Sequence, residues 1–295
     1  MSRFSTLLQR EWMQHHRGWL TLILMPPALG LLLLVFADSM HIEPKDPLTL
    51  MLGCTVIATV GSLVIAWLSL GFQASGLARR DVQDRSIEFW LSLPVGHSAS
   101  IGATLLFHGL LMPLLALGLG FVASQLFGVA LVALTSGPGA VFALPWAALL
   151  KADIAGLLRV LLGVLLASVW LLPFWLPVMA ASAWLKRWGL PVLAVVVGGG
   201  HLVLSQVYGI GVIGDTLHGW GAQALRALAP VSDTGFERHI QSVESLGDAV
   251  GLVPQWAGPD AWRAVSELAH PLLPSALLLS AACFGLLVLR RQRSD

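Results

Sequence analysis

Residues 48–78 read LTLMLGCTVIATVGSLVIAWLSLGFQASGLA, and no acidic or basic side chain interrupts them. A helix needs about 20 mainly apolar residues to cross a hydrocarbon core of about 30 Å, so this run spans a membrane. The same pattern recurs on both sides of it. Upstream, Trp19 to about Ala37 forms a first span, with Pro26 and Pro27 expected to kink it. Downstream, Ser98 or Ser100 caps a third span running to about Leu126, which carries His108 and Pro113. Asp153 caps a fourth, about Ile154 to Trp184, where Pro173 and Pro177 predict a kink, Arg159 snorkels to the interface, and Lys186 and Arg187 mark the end. A fifth runs from Leu190 to about Ile213, and its Gly198, Gly199, Gly200 and His201 suit close helix packing. Leu272 to Leu289 is the sixth, closed by Arg290, Arg291 and Arg293. The fold class expected is all-α, a polytopic membrane protein with six transmembrane helices.

Composition agrees. Hydrophobic residues make up 56% of the chain and charged ones 11%, with a mean hydropathy of +0.79; soluble domains carry about a quarter charged residues. A net charge of +1 gives no reason to expect a nucleic-acid partner. Cys54 and Cys283 both fall in apolar runs and read as small core hydrophobes. The first apolar run is longer than a signal-peptide core and lacks a small-x-small cleavage site, so it is expected to remain as a span.

Between the spans, four segments carry the remaining information. In residues 3–17, Phe4, Leu7, Leu8 and Trp12 recur at helical spacing while Arg3, Arg10, Gln14 and Arg17 point elsewhere. That is the pattern of an elbow helix lying in the headgroup plane, residues 1–18. Ser136 to Pro145 reads as a loop or a shallow re-entrant piece. Residues 214–270 form the one sizeable polar insertion, expected as three short amphipathic helices. Asp215 caps the first, which ends at Pro230; Phe236, Ile240, Val243 and Val250 mark the second; Pro259 and Asp260 open the third. The fourth segment is Arg79 to Pro94, rich in charge at first and then apolar at Ile87, Phe89, Trp90, Leu91 and Leu93, with Pro94 as a stop.

Charge sets the sides. With six spans both termini share a side, and that side, with the 79–97 loop and the 186–187 turn, holds 11 of the 17 Lys and Arg residues but 5 of the 16 acidic ones. The positive-inside rule therefore makes the termini and the Arg79–Pro94 segment cytoplasmic and the 214–270 cap external. The whole chain, 1–295, is expected as a single transmembrane domain, with spans one to five over 19–213 and the last span and basic tail over 271–295.

What the spans lack restricts the function. Gradient-driven transporters and proton pumps need titratable groups at membrane depth, and the spans offer no mid-depth Asp, Glu or Lys, only His108 and His201. Those two histidines read first as packing or helix-to-helix hydrogen-bond partners. No GlyxSerxGly, HisGluxxHis or phosphate-loop motif is present, so neither hydrolysis within the membrane nor nucleotide hydrolysis is expected of this chain. Energy for vectorial work then comes from another subunit, and the Arg79–Pro94 segment is the surface that subunit would push. Ile87, Trp90 and Leu91 form its docking face, and Asp81 pairs with Arg85 at i, i+4.

At these residues the chain resembles a known family. Residues 84–95, DRSIEFWLSLPV, are similar to a signature of permease subunits of ATP-binding-cassette transporters of the type 2, exporter-like class. The six-span plan, the elbow with Gln9, Arg10, Glu11 and Trp12, and the large insertion before the last span fit the same layout. The resemblance implies a dimer of permeases, as a homodimer or with a second permease subunit, in a bacterial-type cytoplasmic (inner) membrane. It also implies that each copy contacts an ATP-binding subunit through Asp84, Arg85, Ser86, Ile87, Glu88, Phe89, Trp90, Leu93 and Pro94, to which the docking face adds Leu91. ATP and Mg would reside in that partner, with no cofactor or metal in this chain. One departure is the absence of a basic residue shortly after the signature, where this chain has Gly102, Ala103 and Thr104. Two other classes stay open: a membrane sensor or scaffold whose external cap binds a partner, and a membrane-embedded hydrolase or transferase.

Overall fold

The protein is described from a computed structural model, which covers residues 3–34, 46–83, 96–229 and 246–293. Among the described residues there are only helices and short connections, with no strand. In order they are α1 (Arg3–Leu34), α2 (Pro47–Gln83), α3 (His97–Ser136), α4 (Pro138–Ala143), α5 (Trp146–Leu185), α6 (Gly189–Tyr208), α7 (Val212–Leu228), α8 (Leu246–Ser266) and α9 (Leu273–Gln292). Within α3, Phe107–Leu111 is wound as a π segment.

α5 is the axle of the molecule. Its 40 residues rise about 60 Å, and the other helices are arrayed along it. α2 runs in the same direction: Leu48 and Met51 share a cluster with Leu149 and Ala152, and Leu70, Ala74 and Leu77 pack with Leu176, Met179 and Ala180. α3 runs against both, with Ile101 at the Leu77 end and Val129 at the Leu48 end. Small residues let α3 come close to α2, since a Cβ on Gly120 would collide with Ser62 and one on Gly128 would lie 2.6 Å from Met51 Sδ. α1 follows α3, with Ile23 beside Met112 and Ala116, and Gly30 against Phe127. α8 and α9 lie one after the other along α5: Val250 with Leu149, Ala264 with Ala167, Cys283 with Met179, and Arg290 Nε donating to the Ala183 carbonyl at 3.4 Å.

These pairings bring one set of helix ends together. The start of α3 and the ends of α2, α5 and α9 gather at one end of the bundle, and with them Arg79, Lys186, Arg187, Arg290, Arg291 and Arg293. Trp184 and Trp188 stand there too, with the guanidinium carbons of Arg290, Arg293 and Arg187 5.6–6.0 Å from their rings. The basic clustering expected of one membrane face is thus present as one end of the structure.

Among the described residues, four helices are long and apolar enough to cross a membrane, at 47–79, 97–136, 146–208 and 273–292, and they mark a membrane-embedded chain. The expected fourth and fifth spans both fall within 146–208, which the tight turn at Lys186–Trp188 divides into α5 and α6. The first expected span sits on α1, whose described part ends at Leu34 and which is not among the four.

Several local expectations are corrected. Asp153 does not cap a helix: α5 starts at Trp146, and the Asp153 carboxylate instead accepts from Gln125 Nε2 at 3.2 Å. Ser98 and Ser100 lie inside the first turn of α3, behind an N-cap at Gly96. The 136–145 stretch holds the short helix α4. Pro259 and Asp260 do not open a helix, because α8 runs through both Pro254 and Pro259 from Leu246. Gly198 and Gly199 meet no neighbour within 4 Å, so they do not serve close packing within the chain. Trp19 is buried, and Trp67 packs in the core beside Leu63, Leu117 and Val164. Pro230 and the 231–245 segment lie outside the described residues.

Candidate functional site

The π segment of α3 carries the site. A π turn adds a residue to the helix and breaks the i→i−4 ladder, a feature found often at functional positions. Here the loosened backbone is met from α5, where Ser168 Oγ lies 3.0 Å from the Gly109 carbonyl and 2.8 Å from that of Val164. The same segment holds His108, which has no exposed surface.

Facing His108 from α1 is a buried ion pair. Arg10 Nη2 donates to Glu11 Oε1 at 2.6 Å, and the Thr104 hydroxyl lies 3.1 Å from the same oxygen. Arg10 is 5% exposed and Glu11 is fully buried. The other carboxylate oxygen, Oε2, lies 3.5 Å from His108 Nε2 and 3.8 Å from His15 Nδ1. His15 Nδ1 also lies 3.2 Å from the Glu11 carbonyl one turn back. The His15 ring meets His108 edge-on at 4.7 Å between centroids, and Trp19 closes the far side at 6.0 Å. Neither ring nitrogen of His108 makes a hydrogen bond within the protein.

Behind His108 a cavity of about 330 Å³ opens between α2, α3 and α5. Leu70, Leu77, Leu165, Leu172, Trp175 and Met179 give it apolar walls, with Thr104, His108 and Ser168 as its polar groups. A site of this form takes an apolar molecule and offers it few, fixed hydrogen-bonding groups.

The structure therefore changes one reading of the sequence. A carboxylate is buried inside the helical bundle, on the segment expected to lie in the headgroup plane. α1 has no break between residues 3 and 34, and its Arg10–Glu11 pair points into the bundle while Phe4 and Trp12 are exposed and Leu7 is buried and Leu8 packs against the Trp19 cluster. A buried carboxylate is tolerated there because its own neighbour in sequence neutralises it. His108 belongs to the cluster, whereas His201 does not: it packs against Gly214 of α7. The docking residues Asp84, Arg85, Ser86, Ile87, Glu88, Phe89, Trp90, Leu91, Leu93 and Pro94 lie outside the described residues, and their anchors Gln83 and Gly96 are at the basic end of the bundle.

A second buried ion pair joins α5, α7 and α8. Arg159 of α5 does not snorkel; it is 3% exposed, its Nε donates to Asp260 Oδ2 of α8 at 2.6 Å, and its Nη1 donates to the Ala227 carbonyl of α7 at 2.8 Å. Gly163 makes room for this contact, since a Cβ there would lie 2.5 Å from the same carbonyl. Comparison of the chain with known protein families, with characterised proteins and with solved structures gives no match.

Proposed function

We propose that the protein is the membrane-spanning permease subunit of an ATP-driven exporter, moving a hydrophobic or amphipathic molecule outward with ATP hydrolysed by a separate subunit. The observation that carries this reading is the gathering of the ends of α2, α5 and α9 and the start of α3 at one basic end. The 84–95 signature connects two of those ends, so a motor acting on it works on α2 and α3 together. Both helices line the apolar cavity, and a shift between them alters its walls. Cargo of small, mainly apolar character suits a cavity with three polar groups and no unbalanced charge. The elbow role of Phe4, Leu7, Leu8, Arg10, Glu11 and Trp12 is part of the same reading: α1 would pass movement of the basic end to His108.

Co-expression with a candidate ATP-binding subunit tests the proposal. The expected result is a detergent-stable complex whose ATPase rate rises with cargo, and whose transport is lost in Arg85→Glu/Trp90→Ala while the chain still reaches the membrane. Transport that persists in that double variant overturns it.

A further inference from the structure

Two imidazoles and a carboxylate converge in the buried cluster, and the geometry points to a metal site: one divalent transition-metal ion of the zinc class held by Glu11 Oε2, His108 Nε2 and His15 Nδ1. The three donor groups lie within 4.8 Å of one another. Donors about 2.0–2.1 Å from a tetrahedral ion stand roughly 3.4 Å apart, and the two separations from Glu11 Oε2 are 3.5 and 3.8 Å. The third separation, between the two imidazole nitrogens, is bounded at 4.8 Å, so closing a first shell also requires the His15 and His108 rings to draw toward each other around the ion.

A second observation points the same way. His108 is fully buried, yet neither of its ring nitrogens is hydrogen-bonded, and buried polar groups are as a rule satisfied unless an ion or water occupies the gap. The other carboxylate oxygen is already held by Arg10 and the Thr104 hydroxyl, which turns Oε2 toward the imidazoles in the way outer-shell groups orient a metal ligand. Two histidines and one glutamate are a zinc-type donor set that leaves a coordination position open. Thr104 and His108 both border the cavity, so a solvent molecule or a ligand atom reaches that position from there. When the ion binds, the His15 proton sits on Nε2, freeing Nδ1 from the Glu11 carbonyl.

Arg10 sets the strength of the site. It competes with the ion for one carboxylate charge, so affinity is expected near about micromolar, weaker than that of a closed structural centre. This competition gives a sign that a merely structural cluster would not show: Arg10→Gln should bind the ion more tightly, by roughly tenfold.

The test uses the full chain, purified without a polyhistidine tag in lipid nanodiscs and titrated with Zn²⁺ against a fluorescent chelator. One ion per chain is expected, weakened at least roughly a hundredfold in Glu11→Gln and in His108→Ala and unchanged in His97→Ala and His218→Ala. His108→Gln, of similar size and polarity, serves if His108→Ala fails to fold. Titration of the unaltered protein with Co²⁺ needs no variant, and tetrahedral visible bands are expected. Absence of Zn²⁺ binding and of those bands, binding that survives both ligand substitutions, or weaker binding in Arg10→Gln overturns the proposal and leaves a proton-sharing cluster only.

Discussion

Arg159 and Asp260 stand 101 positions apart in sequence and 2.6 Å apart in space, and both are buried. Removing one partner leaves a charge without its counter-ion, which costs about 3–5 kcal/mol, whereas replacing both by apolar residues is often close to neutral. Arg159→Met and Asp260→Ala should therefore each lower the thermal midpoint in detergent, and Arg159→Met/Asp260→Leu should recover most of the loss. A double variant whose loss equals the sum of the two single losses would show that the pair does not couple. Neither this pair nor the Glu11 cluster was legible in the sequence, and the reason is the same for both. Hydrophobic periodicity reports which face of a helix is apolar, but a charged residue on such a face looks misplaced until its partner is known. Arg159 therefore read as a snorkelling side chain and Glu11 as part of a headgroup helix. What could have flagged Glu11 is the spacing Glu11–His15, which puts a carboxylate and an imidazole one turn apart on one face of α1.

At the scale of elements, the closest fit is between α2 and α3. Gly120 and Gly128 are two turns apart and face Ser62 and Met51; at Gly120, where Ser62 Cβ and the Ala58 carbonyl are also close, a larger residue must push the helices apart, whereas at Gly128 the flexible Met51 side chain can swing aside. Gly120→Leu should cost about 1–3 kcal/mol through overpacking, read as a lower midpoint and a lower folded yield. Gly118→Leu, which meets nothing within 4 Å, is the control expected to fold normally. The existence of the long helices was legible, because uninterrupted apolar runs admit no other structure in a bilayer. Their ends were not. α5 begins ahead of Asp153 because Pro145 and Trp146 set its start, and α8 passes through two prolines because packing along α5 outweighs the lost backbone bonds. No sequence signal separates a π segment from ordinary helix, so the register of His108 emerged only in three dimensions.

At the scale of the whole molecule, the basic end and the end bearing Leu246 should face opposite compartments. With Cys54→Ser/Cys283→Ser as background, Gly96→Cys and Gly247→Cys place exposed thiols near the two ends. A membrane-impermeant maleimide added to intact cells should label Gly247→Cys and not Gly96→Cys; the reverse pattern would invert the assignment of sides. Among the described residues, the six expected spans and the four long apolar helices differ at two places: the stretch that turns at Lys186 counts once where two spans were expected, and α1, described to Leu34, is not among the four. The length of α5 has a consequence for the lipid. Forty helical residues make about 60 Å of contour, twice the thickness of the hydrocarbon layer, and the tilts observed in membranes, up to about 40°, shorten it too little to fit unless Pro173 and Pro177 also bend it. Val56, Ile57, Leu134, Leu150 and Ile154 keep the half near Trp146 oily on its outside. Bilayer thickness thus acts on this protein as a conformational load, and its melting temperature should rise from short-chain to long-chain phosphatidylcholine, with the surrounding membrane stretching or the helices leaning until the two lengths agree.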